Sequence, residues 1–364
     1  MKDVVEYRLL QGIELNVIKS SELTPDEFPY NIEVIAEQLT IPWGIAISPD
    51  GRMFITERLG TIRVIQDGKL LSEPLISFPI PTARRSEGGL LGIALDPNFS
   101  SNHYIYVYRT VTEDNRTYNQ VIRLLEADNK ASIDRIIIDN IPGSLTHDGG
   151  RIKVGPDQKL YITTGDAGNS SFAQDLDNLA GKILRINLDG SIPIDNPIHN
   201  SPIYSFGFRN PQGLDWNAQQ VLYASEHGQT AHDEINIIQP GTNYGWPLVQ
   251  GEEESQDTNT QKPLLQSEDV TWAPAGIAFV KQGPWNGKLL VATLRGEQLL
   301  ALTLNENGTK VIQAESWLQD QYGRLRDVVW AEDGSIYLST SNRDGRGFAN
   351  QADDRILRLV PKEQ

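Results

Sequence analysis

The chain contains no cysteine. That excludes disulfides, zinc–thiolate centres and thiol nucleophiles. No apolar run approaches the length of a membrane span. Met1-Lys2-Asp3-Val4-Val5-Glu6 lacks the apolar core of a signal peptide, so the chain reads as cytoplasmic or as one whose leader was replaced by a start methionine. No Rossmann or Walker glycine loop is present, which argues against a nicotinamide or ATP site. Helical periodicity is scarce as well; short apolar strands broken by Gly, Pro, Asn and Asp dominate. Positive charge is in deficit, 32 Lys and Arg against 48 Asp and Glu, for a net charge of −16. Such a surface repels nucleic-acid phosphates and anionic membranes. Any local concentration of arginine therefore needs a reason.

What is present is a unit that recurs six times. Each copy is an apolar strand opening on Gly or a close substitute, a turn, and a second apolar strand ending in small polar residues. The first copy is Gly44-Ile45-Ala46-Ile47, Pro49-Asp50-Gly51 and Met53-Phe54-Ile55-Thr56-Glu57. The others begin near Gly92, Arg151, Gly213, Gly276 and Asp327. A spacing of roughly 50 to 60 residues is that of propeller blades. The expected fold is all-β: a six-bladed β-propeller of four-stranded antiparallel blades, forming a single domain over residues 1–364. Tyr7 to Val17 reads as an extra strand that joins the last blade and closes the ring, removing exposed edges. Glu252 to Gln266 reads as a polar excursion loop.

Blade topology places chemistry at one end of the ring. Residues before the first strand of a blade and after its second strand share a face. These two sets bring His147, Asp166, Arg209, Asn210, Arg295, Arg324 and Arg326 together, with Glu87, Glu226-His227-Gly228-Gln229, Glu57-Arg58, Arg109, Asn342-Arg343, Trp43 and Trp272. His147 precedes the third inner strand and Asp166 follows its hairpin partner. A carboxylate beside an imidazole orients the ring and stabilises the imidazolium, as a general base requires. A loop histidine bonded to a backbone carbonyl fits the same spacing. Arg209, Arg295, Arg324 and Arg326 suit a small polyanionic ligand, because guanidinium forks match carboxylate or phosphate. Glu226 to Gln229, Asp233 to Asn236 and Gly241 to Trp246 combine carboxylates with carbonyl-exposing loops, as a calcium region does; solvated acidic loops are the commoner meaning of such stretches. His103, His199, His227 and His232 have no matching partner pattern and read as structural or solvated. Trp43 and Trp272 read either as stacking platforms or as rim packing.

These strings, taken in order, carry a resemblance. Ser86-Glu87-Gly88-Gly89-Leu90-Leu91-Gly92, His147-Asp148-Gly149-Gly150-Arg151, Gly165-Asp166, Gly207-Phe208-Arg209-Asn210-Pro211-Gln212-Gly213, Asp233-Glu234-Ile235-Asn236, Asn243-Tyr244-Gly245-Trp246-Pro247 and Arg324-Leu325-Arg326-Asp327-Val328 resemble the soluble quinoprotein glucose and aldose sugar dehydrogenases. The match runs from about Leu39 to Leu359. The resemblance implies a six-bladed propeller holding pyrroloquinoline quinone (PQQ) and Ca2+, which oxidises aldose sugars at C1 to lactones. It makes His147 the general base, Asp166 its orienting carboxylate and Arg209 the cation at the accepting carbonyl. Glu87, Asn210, Arg295, Arg324 and Arg326 become cofactor-binding residues, the arginines because PQQ is a tricarboxylate. Gly228 and Gln229 would offer backbone carbonyls to a catalytic calcium, and Glu234 and Tyr244 would hold a second, structural one.

Two positions depart from the glucose dehydrogenases: Glu87 replaces glutamine, as in the aldose sugar dehydrogenase branch, and Gln229 replaces proline. The expected partners are a sugar and an external electron acceptor, with no nucleic acid and no membrane span, in a monomer or homodimer. The family's habit implies a periplasmic or secreted protein. The competing readings are a calcium-dependent propeller lactonase, which leaves the arginines idle, and a non-catalytic binding propeller.

Overall fold

The computed structural model describes residues 17–18, 27–80, 86–114, 116–251 and 259–362. Among them regular structure is almost entirely strand, with one short helix, Phe99–Asn102, and one 3-10 turn, Ser170–Gln174. Six antiparallel sheets follow one another along the chain and form a six-bladed propeller of four-stranded blades. From axis to rim, the first blade is Pro42–Ile47, Met53–Glu57, Thr61–Gln66 and Lys69–Leu70. The second is Leu90–Leu95, Tyr104–Glu113, Arg116–Ala127 and Lys130–Pro142. The third is Ile152–Val154, Leu160–Thr164, Lys182–Ile186 and Ile203–Phe206. The fourth is Pro211–Trp216, Leu222–Glu226, Glu234–Ile238 and Leu265–Gln266. The fifth is Pro274–Phe279, Leu289–Thr293, Leu299–Leu304 and Val311–Trp317. The sixth is Leu325–Trp330, Ile336–Thr340, Ile356–Pro361 and Tyr30–Ala36.

Middle strands are covered on both faces by neighbouring blades, which is why Leu289-Leu290-Val291-Ala292-Thr293 is buried throughout rather than alternating. The apolar clusters lie between blades. Phe54, Ile62, Ile93, Ile105 and Ile122 join the first blade to the second. Each such side chain contributes about 1.5–3 kcal/mol when fully buried. Inner strands touch in cyclic order, and the sixth meets the first. The glycine that opens an inner strand answers to this crowding. A Cβ on Gly92 would lie 2.3 Å from the Gly150 carbonyl oxygen of the next blade.

Five of the six inner strands also slip register at their first residues, as between Pro42 and Gly44 or Pro211 and Gly213. Such bulges bend the strand end and re-aim its side chains. All five lie at the end of the ring that carries the candidate site.

Two sequence readings change. Of the expected closing strand Tyr7–Val17, all but Val17 lies outside the described residues. Val17–Ile18 runs parallel to Val311–Trp317 on the fifth blade. The strand that completes the sixth blade is Tyr30–Ala36, antiparallel to Ile356–Pro361. Its apolar and polar residues alternate imperfectly, which masked it. The excursion expected to reach Gln266 ends sooner, because Leu265–Gln266 pairs with Glu234–Ile235 as the fourth strand of its blade.

Candidate active site

A cleft of about 970 Å3 opens on the axis at the bulged end of the inner strands. Near the axis, Arg151 of the third blade reaches across to Asp327 of the sixth at 3.0 Å, and Arg151 Nε donates to the Gln212 carbonyl at 2.9 Å. Trp43, nearly fully buried, lines the cleft, with the Arg151 guanidinium 4.4 Å and that of Arg326 5.6 Å from its ring. Trp272 is fully buried in the core between the fourth and fifth blades.

His147 stands on the cleft wall in the loop entering the third blade. Its backbone is left-handed, with φ of 60°. That conformation is held from both sides: its N–H donates to Glu87 Oε2 at 2.9 Å, and its carbonyl accepts from Ala167 N–H at 3.2 Å. His147 Nδ1 donates to Asp166 Oδ1 at 2.7 Å, which leaves Nε2 as the basic nitrogen on the cleft side. Asp166 Oδ1 also accepts from Gly168 N–H at 2.8 Å, and Oδ2 accepts from the Trp246 indole N–H at 2.8 Å. Burial opposes ionisation of Asp166, but the His147, Trp246 and Gly168 contacts outweigh it and hold the carboxyl below its usual range.

All four sequence-predicted arginines line the cleft, as do Glu87, Asn210, Gly228 and Gln229. Arg209 donates from Nη1 to the His227 carbonyl at 3.4 Å, and its guanidinium lies 5.6 Å from the Trp246 ring. Asn210 Oδ1 accepts from Gly149 N–H at 3.0 Å. Arg324 donates twice to Asp344 Oδ2, at 2.9 and 2.7 Å, and Arg326 Nη1 donates to Gln212 Oε1 at 2.5 Å. Burial pushes Arg326 down to about 9, and Arg324, Arg58 and Arg151 add repulsion.

Arg58, which the sequence places on this face without assigning it a role, lines the cleft too, as do Arg346 and Asp344, which the sequence did not single out. Arg58 follows a second strand, as Arg295 does, whereas Arg209, Arg324 and Arg326 lie at the start of inner strands. Arg109 and Arg343, placed on the same face by the sequence, do not line the cleft: Arg109 lies within Tyr104–Glu113 and pairs with Gln120, and Arg343 pairs with the carbonyls of Asp353 and Asn350. His227, read as structural or solvated, also lines the cleft. Its Nε2 donates to the Pro274 carbonyl at 2.9 Å, and burial with Arg326 and Arg209 nearby keeps it neutral.

The residues considered for metal divide in two. Gly228 and Gln229 stay at the cleft, their loop held by Asp233, whose oxygens accept from the N–H groups of Gly228, Trp272 and Ala273. Glu234 and Tyr244 lie in a smaller recess of about 20 Å3 beside the cleft, with Glu226. Glu226 and Glu234 face each other in register, and burial raises both carboxyls, Glu234 to about 7. Asn236 Oδ1, next to them, is buried without a partner. Tyr244 uses its hydroxyl within the protein, donating to the Ile237 carbonyl at 2.7 Å. No group of three or more His, Cys, Asp or Glu side chains forms a ready cage among the described residues.

Residues 39–357 match the family model for glucose/sorbosone dehydrogenase. The chain belongs to the glucose/sorbosone dehydrogenase family. Relatives of this dehydrogenase include the aldose sugar dehydrogenase YliI of Escherichia coli, 34% identical over 90% of this chain and 94% of that one. The quinoprotein glucose dehydrogenase B of Acinetobacter calcoaceticus is 33% identical over 82% of this chain and 72% of that one. Among solved structures, the PQQ-bound aldose sugar dehydrogenase of Streptomyces coelicolor superposes with a TM-score of 0.81, at 38% identity over 92% of this chain and 98% of its own. The protein is accordingly an oxidoreductase of the sugar dehydrogenase type. No helix among its described residues is long and apolar enough to cross a membrane.

Proposed function

We propose that this dehydrogenase oxidises aldose sugars at C1 to the lactone, using PQQ and calcium. The observation that carries the reading is the 2.7 Å His147–Asp166 pair on the wall of an arginine-lined cleft. The donor set suits both groups. Buried, unpartnered Nε atoms of Arg58 and Arg326 suit a polycarboxylate, and the Glu226–Glu234 pair with the free Asn236 Oδ1 suits a hard cation. When bound, PQQ supplies a quinone that accepts two electrons as hydride at C5, with calcium and a fixed cation polarising its carbonyl.

The chain's own residues supply the rest. His147 Nε2 takes the proton of the C1 hydroxyl as the C1 hydride departs. Asp166 keeps the proton on Nδ1, so that Nε2 is the base, and stabilises the imidazolium that forms. With PQQ bound, Arg209 and Asn210 would face its accepting carbonyl, Arg295, Arg324 and Arg326 would hold its carboxylates, and Glu87 would line the same site. Gly228 and Gln229 would offer backbone carbonyls to a catalytic calcium, and Glu234 with the Tyr244 backbone would serve a structural one. A separate acceptor would take the electrons.

The test is reduction of an electron-accepting dye by a panel of aldoses after mixing with PQQ and calcium. Dye reduction that needs both additions and is lost in His147→Ala is the expected result. Turnover of lactones by calcium alone, with no PQQ spectral change on mixing, would replace this reading with hydrolysis.

A further inference from the structure

One wall of the cleft carries more buried positive charge than the protein compensates. Arg58, Arg324 and Arg326 are each at most 6% exposed. They converge on one acidic residue, Asp344, whose side chain is 2% exposed. Arg324 makes two hydrogen bonds to its carboxylate, Arg326 lies 3.9 Å from it, and Arg58 Nη2 donates only to its main-chain carbonyl, at 3.3 Å. The Nε atoms of Arg58 and Arg326 are buried with no partner. Three guanidiniums thus share one carboxylate and retain unused donors, although an uncompensated buried cation is costly. Mutual repulsion is part of the state: after burial, Arg346 and Arg324 lower Arg58, while Asp344 and Glu87 raise it.

Arg58 is also placed deliberately by its surroundings. Its carbonyl accepts from Leu90 N–H at 3.0 Å. Gly89, with φ of 151°, lies against it, and a Cβ there would stand 2.7 Å from Arg58 Cγ and 2.2 Å from its carbonyl oxygen. The stem of the arginine therefore runs through space that only glycine leaves free.

We propose that Arg58 is a ligand-binding residue that completes an anion site with Arg324 and Arg326, and that Asp344 holds the three guanidiniums together without neutralising them. The site takes a carboxylate group of the bound cofactor. This rests on the PQQ reading, with Arg58 as an added anchor. The surplus of two positive charges over Asp344 matches the wall to an anionic group and disfavours a neutral sugar there.

The experiment is PQQ binding, followed by quenching of intrinsic tryptophan fluorescence in the presence of calcium and without sugar or dye. Wild type, Arg58→Gln and Arg58→Lys are compared, each first checked for a native circular dichroism spectrum and cooperative melting. Loss of a charge-assisted anchor should weaken binding by about tenfold or more in Arg58→Gln, with Arg58→Lys between the two because it keeps the charge without the fork. The difference between wild type and Arg58→Gln should shrink as salt is raised. Wild type that binds PQQ with a folded Arg58→Gln binding equally well overturns the assignment of Arg58 and leaves the cofactor reading intact. Wild type that does not bind PQQ overturns the cofactor reading itself. If Arg58→Gln does not fold, Arg58→Lys decides: wild-type affinity there overturns the fork contact.

Discussion

The role proposed for His147 depends on a neighbour 19 residues away. Asp166→Asn keeps the size of the side chain but can present an amide N–H to Nδ1, which would favour the wrong tautomer. We expect kcat to fall about 10³-fold or more with little change in sugar KM, measured by the dye assay. Asp148, next in sequence to His147, makes a different prediction. Its Oδ1 accepts from Asn119 Nδ2 at 2.9 Å and Ser144 N–H at 3.1 Å, while Oδ2 is buried without a partner. Burial raises this carboxyl from 3.8 to about 7, and Glu87 adds to the effect. The folded protein therefore binds the proton more tightly than the unfolded chain, so stability present at low pH is lost as pH rises from about 4 through about 7. Asp148→Asn cannot ionise and keeps an oxygen acceptor. Its melting temperature should exceed that of wild type at pH 8 by several degrees and differ little at pH 4. Equal shifts at both values would remove the titration from the explanation.

At the scale of elements, the strand that matters most for closure comes from the other end of the chain. Tyr30–Ala36 gives the sixth blade its outer strand and buries Tyr30 against Trp285, with ring centroids 4.7 Å apart. Truncation before Glu37 removes this strand and leaves Ile356–Pro361 as a bare edge. The truncated protein should melt well below the full chain and bind a dye specific for exposed apolar surface, both read in one thermal scan. Six inner strands were legible as elements because their repeated apolar cores and turns keep one rhythm. Tyr30-Asn31-Ile32-Glu33-Val34-Ile35-Ala36 was missed because it stands outside that rhythm and leaves Val34 45% exposed. Leu265–Gln266 was missed for a related reason: two residues carry no period of their own, and pairing with Glu234–Ile235 alone makes them strand.

The whole molecule is joined across its axis as well as around it. Asp327 of the sixth blade accepts from Ile45 N–H of the first at 3.0 Å and pairs with Arg151 of the third at 3.0 Å. Asp327→Ala leaves Arg151 buried and unpaired, a loss expected to cost about 3–5 kcal/mol. Denaturant unfolding should show the midpoint falling by that equivalent. An unchanged midpoint would mean that the blade interfaces alone hold the ring.

The sequence by itself determined the period, and with it the six blades and the end of the ring where loop residues gather. That information is local: apolar alternation, Pro-Asp-Gly turns and the polar residues flanking each strand. It also pointed to His147, Asp166 and four arginines, because blade topology converts position in a repeat into position on a face. What it could not decide is which flanking residues turn inward. The sequence sets Arg58 and Arg109 alike just after a second apolar run, yet Arg58 enters the cleft past Gly89 while Arg109 continues the strand Tyr104–Glu113 and pairs with Gln120. His227 likewise lines the cleft, with its ring bonded to the Pro274 carbonyl of the next blade. Those choices depend on contacts between blades, on space left by a missing Cβ and on burial of charge, and these arise only once the ring has closed.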